Sequence, residues 1–352
     1  MAEHPPGARS SLIDALPGFA LYALHVPYSL YLAAKHRGLF LPALANPSIL
    51  TGGMAGESKT DLYALVGPYA RTYFAPFVTV RAGDTPDAMR AALGAARIAF
   101  PLVAKPDVGR NGRGVRIVED AAGLAAYLAT FPQDVRMVLQ RYVADEGEAG
   151  VFYVRKPSET HGRITSLTLK YFPAVVGDGR ASVRELIERE PHPKSVRDLY
   201  LRRNKRYLDR VLAPGARHPL TSVGNYVRGA VFADGENAIT PELTAAFDRI
   251  SKDIKDFYFG RFDVRFADLD DLMRGKGFTL LEYNGASSEP THVYAPGTPL
   301  RKVYRDMLFH WRLAYEVGAE NRARGAKPVS LWNIWQVVRD ESKLIARYPD
   351  EE

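Results

Sequence analysis

The sequence predicts an α+β fold, in which strands and helices intermix without a strict strand–helix–strand repeat. Residues 241–257 carry apolar side chains at helical spacing, whereas residues 261–267 and 278–284 alternate polar and apolar side chains as strands do. The 352 residues are 46% hydrophobic and 25% charged, an ordinary globular composition. A chain of this length can form two or three packed lobes. We therefore expect several lobes of sheet and helix rather than one doubly wound parallel sheet.

Changes in local composition divide the chain into four segments. Residues 1–78 are rich in Tyr, Leu, Ala, Gly and Pro, and they are predicted to form a mainly helical and loop region. Residues 79–145 combine short strands with a glycine-rich loop, and residues 146–320 combine strand pairs with long helices. Residues 321–352 are predicted to form a C-terminal helix.

The charge and cysteine content exclude several classes of function. No cysteine is present, which excludes a thiol nucleophile, a Cys-ligated zinc site and an iron–sulfur cluster. Lys and Arg outnumber Asp and Glu by 47 to 40, and this excess of +7 suits a nucleotide or an acidic substrate as well as a nucleic acid. Residues 184–210 hold nine basic and five acidic side chains, a mixture typical of a solvated helix face. We therefore expect no nucleic-acid partner.

The start of the chain is not expected to carry a targeting signal. Residues 1–9 are polar and lack a basic stretch followed by an apolar core, so a cytoplasmic protein is predicted. The most apolar stretch, residues 18–34, is interrupted by His25 and Pro27, whereas a membrane-spanning helix needs about 20 apolar residues. A buried or half-buried helix is the first interpretation, and an interfacial membrane anchor over 18–37 is the alternative.

A glycine-rich loop, residues 109–114, connects a strand that carries Lys105 to a second strand at 115–118. Its glycines stand in a G-x-x-G-x-G spacing and would allow backbone N–H groups to approach phosphate oxygens closely, while its two arginines could add charge-assisted hydrogen bonds. The spacing differs from the dinucleotide fingerprint, and residues 52–59, GGMAGESK, lack the lysine directly after the last glycine that a Walker loop needs. A phosphate-binding loop and a plain hairpin turn are the two interpretations that the spacing leaves open.

Two neighbouring strand patterns bring acidic and basic side chains to one face. Arg261, Asp263 and Arg265 alternate with apolar residues and therefore share a strand face. Glu282 and Asn284 do the same on the next predicted strand. Two carboxylates and one amide oxygen suit Mg²⁺, and the arginines suit a phosphate that the metal also contacts. A solvated charged strand face, or ion pairs between these arginines and acids, is the alternative.

In their order along the chain, these features resemble the ATP-grasp superfamily of ligases. The order is a strand lysine, a glycine-rich loop, a hinge strand, a second lysine at Lys170, an R-x-D strand and an E-x-N strand. The resemblance covers about residues 80–315, and it is greatest to D-alanine–D-alanine ligase and to the ATP-grasp modules of cyanophycin synthetase and bifunctional glutathione synthetase. Residues 173–187 and 224–230 add to the similarity with the latter two. The resemblance implies an ATP-grasp fold, in which the second and third segments form a small and a large lobe that grip ATP. The N-terminal region would then be reduced or atypical and mainly helical.

The resemblance implies a role for each residue of the nucleotide site. Lys105 would contact the α-phosphate, Lys170 would be the second phosphate lysine, and residues 109–114 would form a lid over the β- and γ-phosphates. Residues 140–143 would form the adenine hinge, and Glu148 would bind the ribose hydroxyls. The residues assigned to the nucleotide are thus Lys105, Gly109, Arg110, Asn111, Gly112, Arg113, Gly114, Gln140, Arg141, Tyr142, Val143, Glu148 and Lys170, with Asp145 and Glu146 as alternatives to Glu148.

The resemblance also implies two Mg²⁺ ions, a set of catalytic cations and a substrate loop. Asp263, Glu282 and Asn284 would hold the Mg²⁺ ions. The catalytic residues would be Arg261, Lys170 and Arg265. After the E-x-N strand the D-alanine ligases continue with a Pro-Gly-Met loop, whereas this chain reads GASSEPTH, so the substrate is expected to differ. The residues assigned to the substrate are Ser287, Ser288, Glu289, His292, Asn225 and Arg228, and for His292 a structural role is the alternative.

The function that the resemblance implies is an ATP- and Mg²⁺-dependent carboxylate–amine ligase. A substrate carboxylate would attack the γ-phosphate to give an acyl-phosphate and ADP, and an amine would then displace phosphate. The substrates would be a small acid, amino acid or peptide and an amine, and a homodimer is the assembly that the family suggests. The alternatives are a nucleotide- or peptide-binding accessory protein of the same fold without the reaction, and an ATP-grasp kinase or thiol ligase.

Overall fold

The computed structural model describes residues 21–190, 194–221, 223–327 and 329–349, so the first 20 residues of the predicted N-terminal segment lie outside the described part. Within these ranges the strands are β1 (Phe77–Arg81), β2 (Leu102–Pro106), β3 (Arg116–Val118), β4 (Arg136–Arg141), β5 (Gly147–Val154), β6 (Arg163–Tyr171), β7 (Ala174–Val176), β8 (Arg217–Pro219), β9 (Val231–Asp234), β10 (Phe259–Phe266) and β11 (Phe278–Asn284). The α-helices are α1 (His25–His36), α2 (Lys59–Ala64), α3 (Pro68–Arg71), α4 (Pro86–Ala95), α5 (Ala121–Leu128), α6 (Val183–Arg189), α7 (Lys194–Arg203), α8 (Pro241–Lys252), α9 (Leu269–Met273), α10 (Leu300–Ala323) and α11 (Leu331–Ala346). Short 3₁₀-helices cover Leu41–Leu44, Leu50–Gly53, Tyr226–Arg228, Glu236–Ala238 and Thr291–Tyr294. The α+β prediction is confirmed, since antiparallel sheets pack against helices.

The small sheet has four antiparallel strands in the order β1–β4–β2–β3. Alternation along β2 sends Leu102 and Ala104 into a core that they share with α4 and α5, and it sends Lys105 to the opposite face. Thr85 and Asp120 cap α4 and α5, each accepting a hydrogen bond from a backbone N–H three residues later. The helices thus cover one face of the sheet, and the lysine lies on the other.

The large sheet has five antiparallel strands in the order β11–β10–β5–β6–β9. One face packs on α8, where Phe262 of β10 meets Phe247. The second face is covered by α10 at one end only, where Phe259 and Leu313 share a core. Because β10 alternates, its polar side chains lie on the uncovered part of this second face.

A smaller unit between β6 and β9 contains β7, β8, α6 and α7 around its own apolar core. Ser182 and Glu185 form a reciprocal capping box at the start of α6. The mixed-charge stretch 184–210 is not one continuous helix face, because α7 ends at Arg203. There the side-chain amide of Asn204 donates to backbone carbonyls of α7 and of Leu220, and turns follow.

The described part of the N-terminal segment forms short helices that pack on the large lobe. α1 buries Leu32 against Tyr315 of α10, whereas Val26, Leu30 and Tyr31 on its other side are 57–66% exposed. For residues 21–34, the described part of this apolar stretch, the half-buried interpretation agrees with the structure, while the interfacial membrane anchor stays a prediction. Among the residues that the structure describes, no helix combines the length and the hydropathy needed to cross a membrane.

One buried asparagine ties this N-terminal segment to β10. The Asn46 side-chain amide donates to the carbonyls of Gly52 at 3.0 Å and Phe259 at 2.8 Å, and its oxygen accepts from the N–H groups of Tyr258 at 2.9 Å and Phe259 at 3.0 Å. The side chain is fully buried. It therefore serves, in place of water, as the hydrogen-bond partner of four backbone groups, three of which lie at the start of β10.

We predict that Asn46→Ala lowers the free energy of unfolding by about 3 kcal/mol, because buried backbone groups left without partners cost about 1–3 kcal/mol each. Urea denaturation followed by circular dichroism measures the change. Asn237→Ala, at an exposed position, is the matched control and should leave the midpoint unchanged. Equal midpoints for the two variants would contradict the assigned role of Asn46.

Candidate functional site

A cleft with a volume of about 680 Å³ lies between the small and large sheets. Its walls come from both sheets, from the glycine-rich loop 109–114, and from an N-terminal segment, residues 54–59. The predicted residues that line it are Lys105, Gly109, Arg110, Asn111, Gly112, Arg113, Gln140, Arg141, Tyr142, Val143, Glu148, Lys170, Asn225, Arg261, Asp263, Arg265, Glu282, Asn284, Ser287, Ser288 and Glu289. The fold thus brings most of the predicted site residues to one cavity, while their individual roles stay predictions.

A buried cluster of ion pairs forms the floor of the cleft. The Lys170 ammonium group donates to Asp263 Oδ1 at 2.7 Å and to Glu148 Oε1 at 3.0 Å. Arg261 donates to both oxygens of Asp263 at 3.2 and 3.3 Å, and Arg265 Nε donates to Glu148 Oε2 at 2.9 Å. Arg265, Glu148 and Lys170 stand directly opposite one another on β10, β5 and β6. The pairing of these strands therefore builds the cluster.

The pKa shifts in this cluster favour the charged forms. Burial raises the pKa of Asp263, but Arg261 and Lys170 outweigh burial and hold that pKa below its usual value. Burial lowers the pKa of Lys170, yet Asp263 and Glu148 raise it above its usual value. Each group keeps its charge because its partners compensate for the lost solvation. Asp263 is therefore deprotonated near neutral pH, as a metal ligand must be.

The donor set for a metal consists of oxygens from β10 and β11. Asp263 and Glu282 lie directly opposite each other, and Asn284 follows Glu282 on the same strand face. Glu282 accepts from Lys105 Nζ at 3.4 Å, and although burial raises its pKa, Lys105 and Lys59 lower it below the usual value. Within the described ranges, no group of three His, Asp or Glu side chains is arranged to hold a metal ion. Two carboxylates and an amide nevertheless fit Mg²⁺, which takes its other ligands from water and phosphate.

The glycine-rich loop joins β2 to β3 at the edge of the cleft. Gly112 has a φ of +68°, and a Cβ there would come within 2.9 Å of Val223, so a side chain at this position would be strained. Arg228 Nε donates to the backbone carbonyl of Asn111 at 2.8 Å. A contact from the large lobe therefore fixes the loop backbone near its centre.

The C-terminal helix α11 holds the same loop from its other side. Glu341, which is 7% exposed, accepts hydrogen bonds from both Nε and Nη2 of Arg110, the first at 2.7 Å. The Tyr348 carbonyl accepts from Arg113 Nη2 at 3.2 Å, and the Tyr348 hydroxyl donates to the Val108 carbonyl at 2.6 Å. Sequence reasoning missed Glu341, because the pattern of α11 does not reveal which surface the helix covers.

The predicted adenine hinge, residues 140–143, continues from β4 along the cleft wall. The Gln140 side chain is buried and donates to the carbonyls of Leu281 at 3.0 Å and Ala75 at 3.3 Å. Its amide group therefore links the small sheet to β11. The other three hinge residues also line the cleft.

Segment 54–59 supplies a wall that sequence reasoning did not identify. Glu57 accepts from the Gly285 N–H at 2.7 Å and from Ser287 Oγ at 3.5 Å, and two further N–H groups of the same loop donate to the carbonyls of residues 52–53. Burial raises the pKa of Glu57 to about 7. The glycines of GGMAGESK, residues 52–59, are the feature of the sequence that indicates a close approach of this backbone to the loop after β11.

Two tyrosines that sequence reasoning missed surround the predicted substrate residue Glu289. Tyr22 donates to Glu289 Oε1 at 2.6 Å, and Tyr294 donates to Oε2 at 2.5 Å. Arg261 Nη1 donates to the Glu289 backbone carbonyl at 3.3 Å. Burial and the Glu289 charge raise the pKa of Tyr22 to about 12. This end of the cleft therefore presents a carboxylate flanked by neutral hydroxyls beside Arg261.

Three predicted site residues do not line the cleft. His292 is buried, with Nδ1 at 2.7 Å from Ser166 Oγ and Nε2 at 3.0 Å from Asp306 Oδ2, and these contacts favour the structural alternative over its assignment to the substrate. Arg228 donates to the Asn111 carbonyl of the glycine-rich loop and does not line the cleft. The Gly114 carbonyl accepts a hydrogen bond from the Tyr127 hydroxyl of α5, and Gly114 does not line the cleft.

No protein-family model matches this sequence, and comparison with curated proteins gives no match. Among solved structures, a bifunctional glutathione synthetase from Pasteurella multocida matches with a TM-score of 0.37 and 18% identity, over 73% of this chain and 38% of that chain. A D-alanine–D-alanine ligase from Bacillus anthracis matches with a TM-score of 0.41 and 15% identity, over 77% and 69%. The VanG D-Ala:D-Ser ligase from Enterococcus faecalis matches with a TM-score of 0.41 and 13% identity, over 75% and 64%. These likenesses stand at 13–18% sequence identity, and this chain spans less than two thirds of the glutathione synthetase and of the VanG ligase.

We predict that Glu341→Ala exposes the glycine-rich loop to trypsin. Without the Glu341 carboxylate, Arg110 loses the charged partner that holds its side chain against α11, and cleavage after Arg110 and Arg113 should accelerate several-fold. Mass spectrometry of timed digests measures the rate. Asp340→Ala, at a position whose side chain is 61% exposed on the same helix, is the control. Cleavage of Glu341→Ala at the wild-type rate would show that α11 does not hold the loop.

Proposed function

We propose that this protein is an ATP- and Mg²⁺-dependent carboxylate–amine ligase that forms an amide bond through an acyl-phosphate. The observation that carries the proposal is the arrangement of charges on the floor of the cleft. Two carboxylates face each other across β10 and β11, lysines approach them from β2 and β6, and a glycine-rich loop borders the same cavity. The order of these motifs along the chain, which resembles that of the ATP-grasp superfamily, supports the same conclusion.

The lysines and the loop would bind the phosphates of ATP. Lys105 and Lys170 approach the cavity from opposite sheets, and backbone N–H groups of residues 109–114 would cover the phosphate oxygens. Asp263, Glu282 and Asn284 would hold Mg²⁺, which supplies neutralising charge to the phosphates when it is bound.

The reaction transfers a phosphoryl group and then an acyl group. A carboxylate oxygen of the acid bonds to the γ-phosphorus, and the bond from that phosphorus to the β–γ bridging oxygen breaks, so that ADP leaves with the electron pair. The amine nitrogen then bonds to the acyl carbon and loses a proton, and phosphate leaves. Arg261, held by Asp263, would stabilise the charge of the transferring group. No protein nucleophile is needed, which agrees with the absence of cysteine.

The substrate end of the cleft supports an amine-bearing substrate. Glu57 and Glu289 present carboxylate oxygens there, next to the hydroxyls of Ser287, Tyr22 and Tyr294. These oxygens can accept hydrogen bonds from an ammonium or amine group. A thiol, with its weak S–H donor, would use them less well, so we prefer an amine acceptor.

We predict that sustained ADP release requires both an acid and an amine, since the acid alone allows only the first step. Asp263→Asn and Glu282→Gln should each lower sustained release by about 10²–10³-fold, because each variant removes an ionised ligand from the phosphate site. A coupled ADP assay over pooled amino acids, dipeptides and amines, with mass spectrometry of the product, measures this. Asp271→Asn on α9, whose side chain is 40% exposed, is the control. Unchanged turnover in both site variants would refute the assignment, and ATP binding without ADP release in any pool would favour the accessory-protein alternative.

Removal of Mg²⁺ provides a separate test of the metal ligands. We expect removal of Mg²⁺ with the chelator EDTA to weaken ATP binding to the wild-type protein on the order of tenfold. The Asp263→Asn and Glu282→Gln variants should gain much less from Mg²⁺, since they lack an ionised ligand for it. Isothermal titration calorimetry with and without Mg²⁺ compares the three proteins. An equal gain in all three would mean that these strand residues do not hold the metal.

A further inference from the structure

Segment 54–59 brings a third lysine, Lys59, into the cleft. The backbone around it is fixed to Asp107, a buried residue that directly follows β2. The Asp107 carbonyl accepts from the Lys59 N–H at 3.0 Å, and its carboxylate accepts from Ser58 Oγ at 2.8 Å and from the Thr60 N–H at 2.7 Å. Lys59 is therefore anchored beside the end of the strand that carries Lys105, and both side chains line the same cavity.

The Lys59 ammonium group has little compensation for its positive charge. Its Nζ donates one long hydrogen bond, to the Asp107 carbonyl at 3.4 Å, and no carboxylate oxygen of the described residues forms an ion pair with it within 4.0 Å. Burial lowers the pKa of Lys59 and Lys105 adds to this effect, while the charges of Glu282, Asp107 and Glu57 oppose the shift without reversing it. Lys59 is partly buried, and a partly buried cation without a close carboxylate is unfavourable for the protein alone.

The charges around Lys59 indicate which kind of group could pair with its ammonium group. Glu282 is the carboxylate that acts most strongly on Lys59, and it already pairs with Lys105 at 3.4 Å, so two ammonium groups draw on the same carboxylate. In the proposed function Glu282 also holds Mg²⁺, and its negative charge is then neutralised further. The region between Lys59 and Lys105 is consequently short of negative charge, and an anion that enters the cleft would complete it.

We propose that Lys59 binds the polyphosphate of the nucleotide, as a phosphate residue supplied by the N-terminal segment. This inference rests on the proposed function for the identity of the nucleotide. Segment 54–59 also contacts the helix that holds the glycine-rich loop, since the Gly56 N–H donates to Glu341 Oε2 at 3.2 Å. Lys59 therefore approaches from the wall that adjoins the loop and lies beside Lys105, where a phosphate chain between the two lysines would be paired on both sides.

The substrate carboxylate is the other anion that could meet Lys59, because it offers the same charged oxygens. The position of Lys59 beside Lys105 and Asp107 favours the phosphates, whereas the substrate loop contacts Glu57. A phosphate lysine would discriminate between nucleotides with long and short phosphate chains. A lysine for the substrate carboxylate would leave nucleotide binding unchanged and affect only the acid.

Calorimetric titrations of Mg·ATP, AMP and inorganic tripolyphosphate into wild type, Lys59→Met and Lys59→Arg test the proposal. We expect Lys59→Met to weaken ATP and tripolyphosphate binding on the order of tenfold and to leave AMP binding within about twofold. Lys59→Arg should retain most of the affinity. Lys276→Met, at a position whose side chain is 63% exposed, is the control for loss of a lysine.

The thermal stability of the ligand-free protein gives a second readout. Lys59→Met should melt at the wild-type temperature or above it, because it removes a partly buried charge that has no close carboxylate partner. The stabilisation by tripolyphosphate should shrink in this variant. A merely structural lysine would instead lower the melting temperature. Wild-type affinity for ATP and tripolyphosphate in Lys59→Met would overturn the proposal, as would an equal loss of AMP binding or an effect confined to the KM of the acid.

The two proposals can fail separately. If the wild-type protein binds tripolyphosphate through Lys59 but does not release ADP with any acid and amine, the ligase function fails and the anion site stands. If ADP is released at wild-type rates by Lys59→Met with unchanged nucleotide affinity, the ligase function stands and the role of Lys59 is wrong.

Discussion

Lys170 lies between Glu148 and Asp263, and the geometry of the cleft depends on this buried cluster of opposite charges. The cluster joins β5, β6 and β10, so its pairing requires the observed strand register, and a shift by one residue would turn its members to the apolar face. Removing one charge would leave its partner buried and uncompensated, at a cost of about 3–5 kcal/mol. The same charges that set the register are therefore the ones available to phosphate and metal, which links the stability of the large sheet to its chemistry.

Two elements outside the sheets complete the cleft. Segment 54–59 is held by the Glu57 side chain, which accepts from the loop that follows β11, and residues 52–53 just before it add backbone contacts to the same loop. The C-terminal helix α11 is held by the ion pair between Glu341 and Arg110. Because α11 pairs Glu341 with Arg110 of the glycine-rich loop, movement of that loop must break this ion pair. The loop therefore has a defined resting position, and a nucleotide would have to offer Arg110 or its neighbours contacts of comparable strength to move it.

The parts that strand alternation governs could be predicted from the sequence. Alternation depends on the backbone alone, and it was sufficient to predict that Arg261, Asp263 and Arg265 share a face opposite Phe262. The glycine-rich loop between β2 and β3 could be predicted for a similar reason. A cluster of glycines within a few residues indicates a turn without any contact from distant parts of the chain. The α+β fold could be predicted from the same local patterns, because they indicate strand pairs and amphipathic helices that intermix along the chain.

Contacts between distant segments could not be predicted in this way. Glu341 meets Arg110 across 231 positions of the chain, and nothing in the pattern of α11 indicates that this acid is buried rather than exposed. His292 does not line the cleft, and α10 and β6 supply partners for both of its ring nitrogens, which its neighbours in the chain do not reveal. Local sequence therefore determines which side chains share a face and where the chain turns, since these depend on backbone geometry over a few residues. Which faces meet, and which charges such as that of Lys59 lack a close carboxylate, depends on packing between elements that are far apart in the chain.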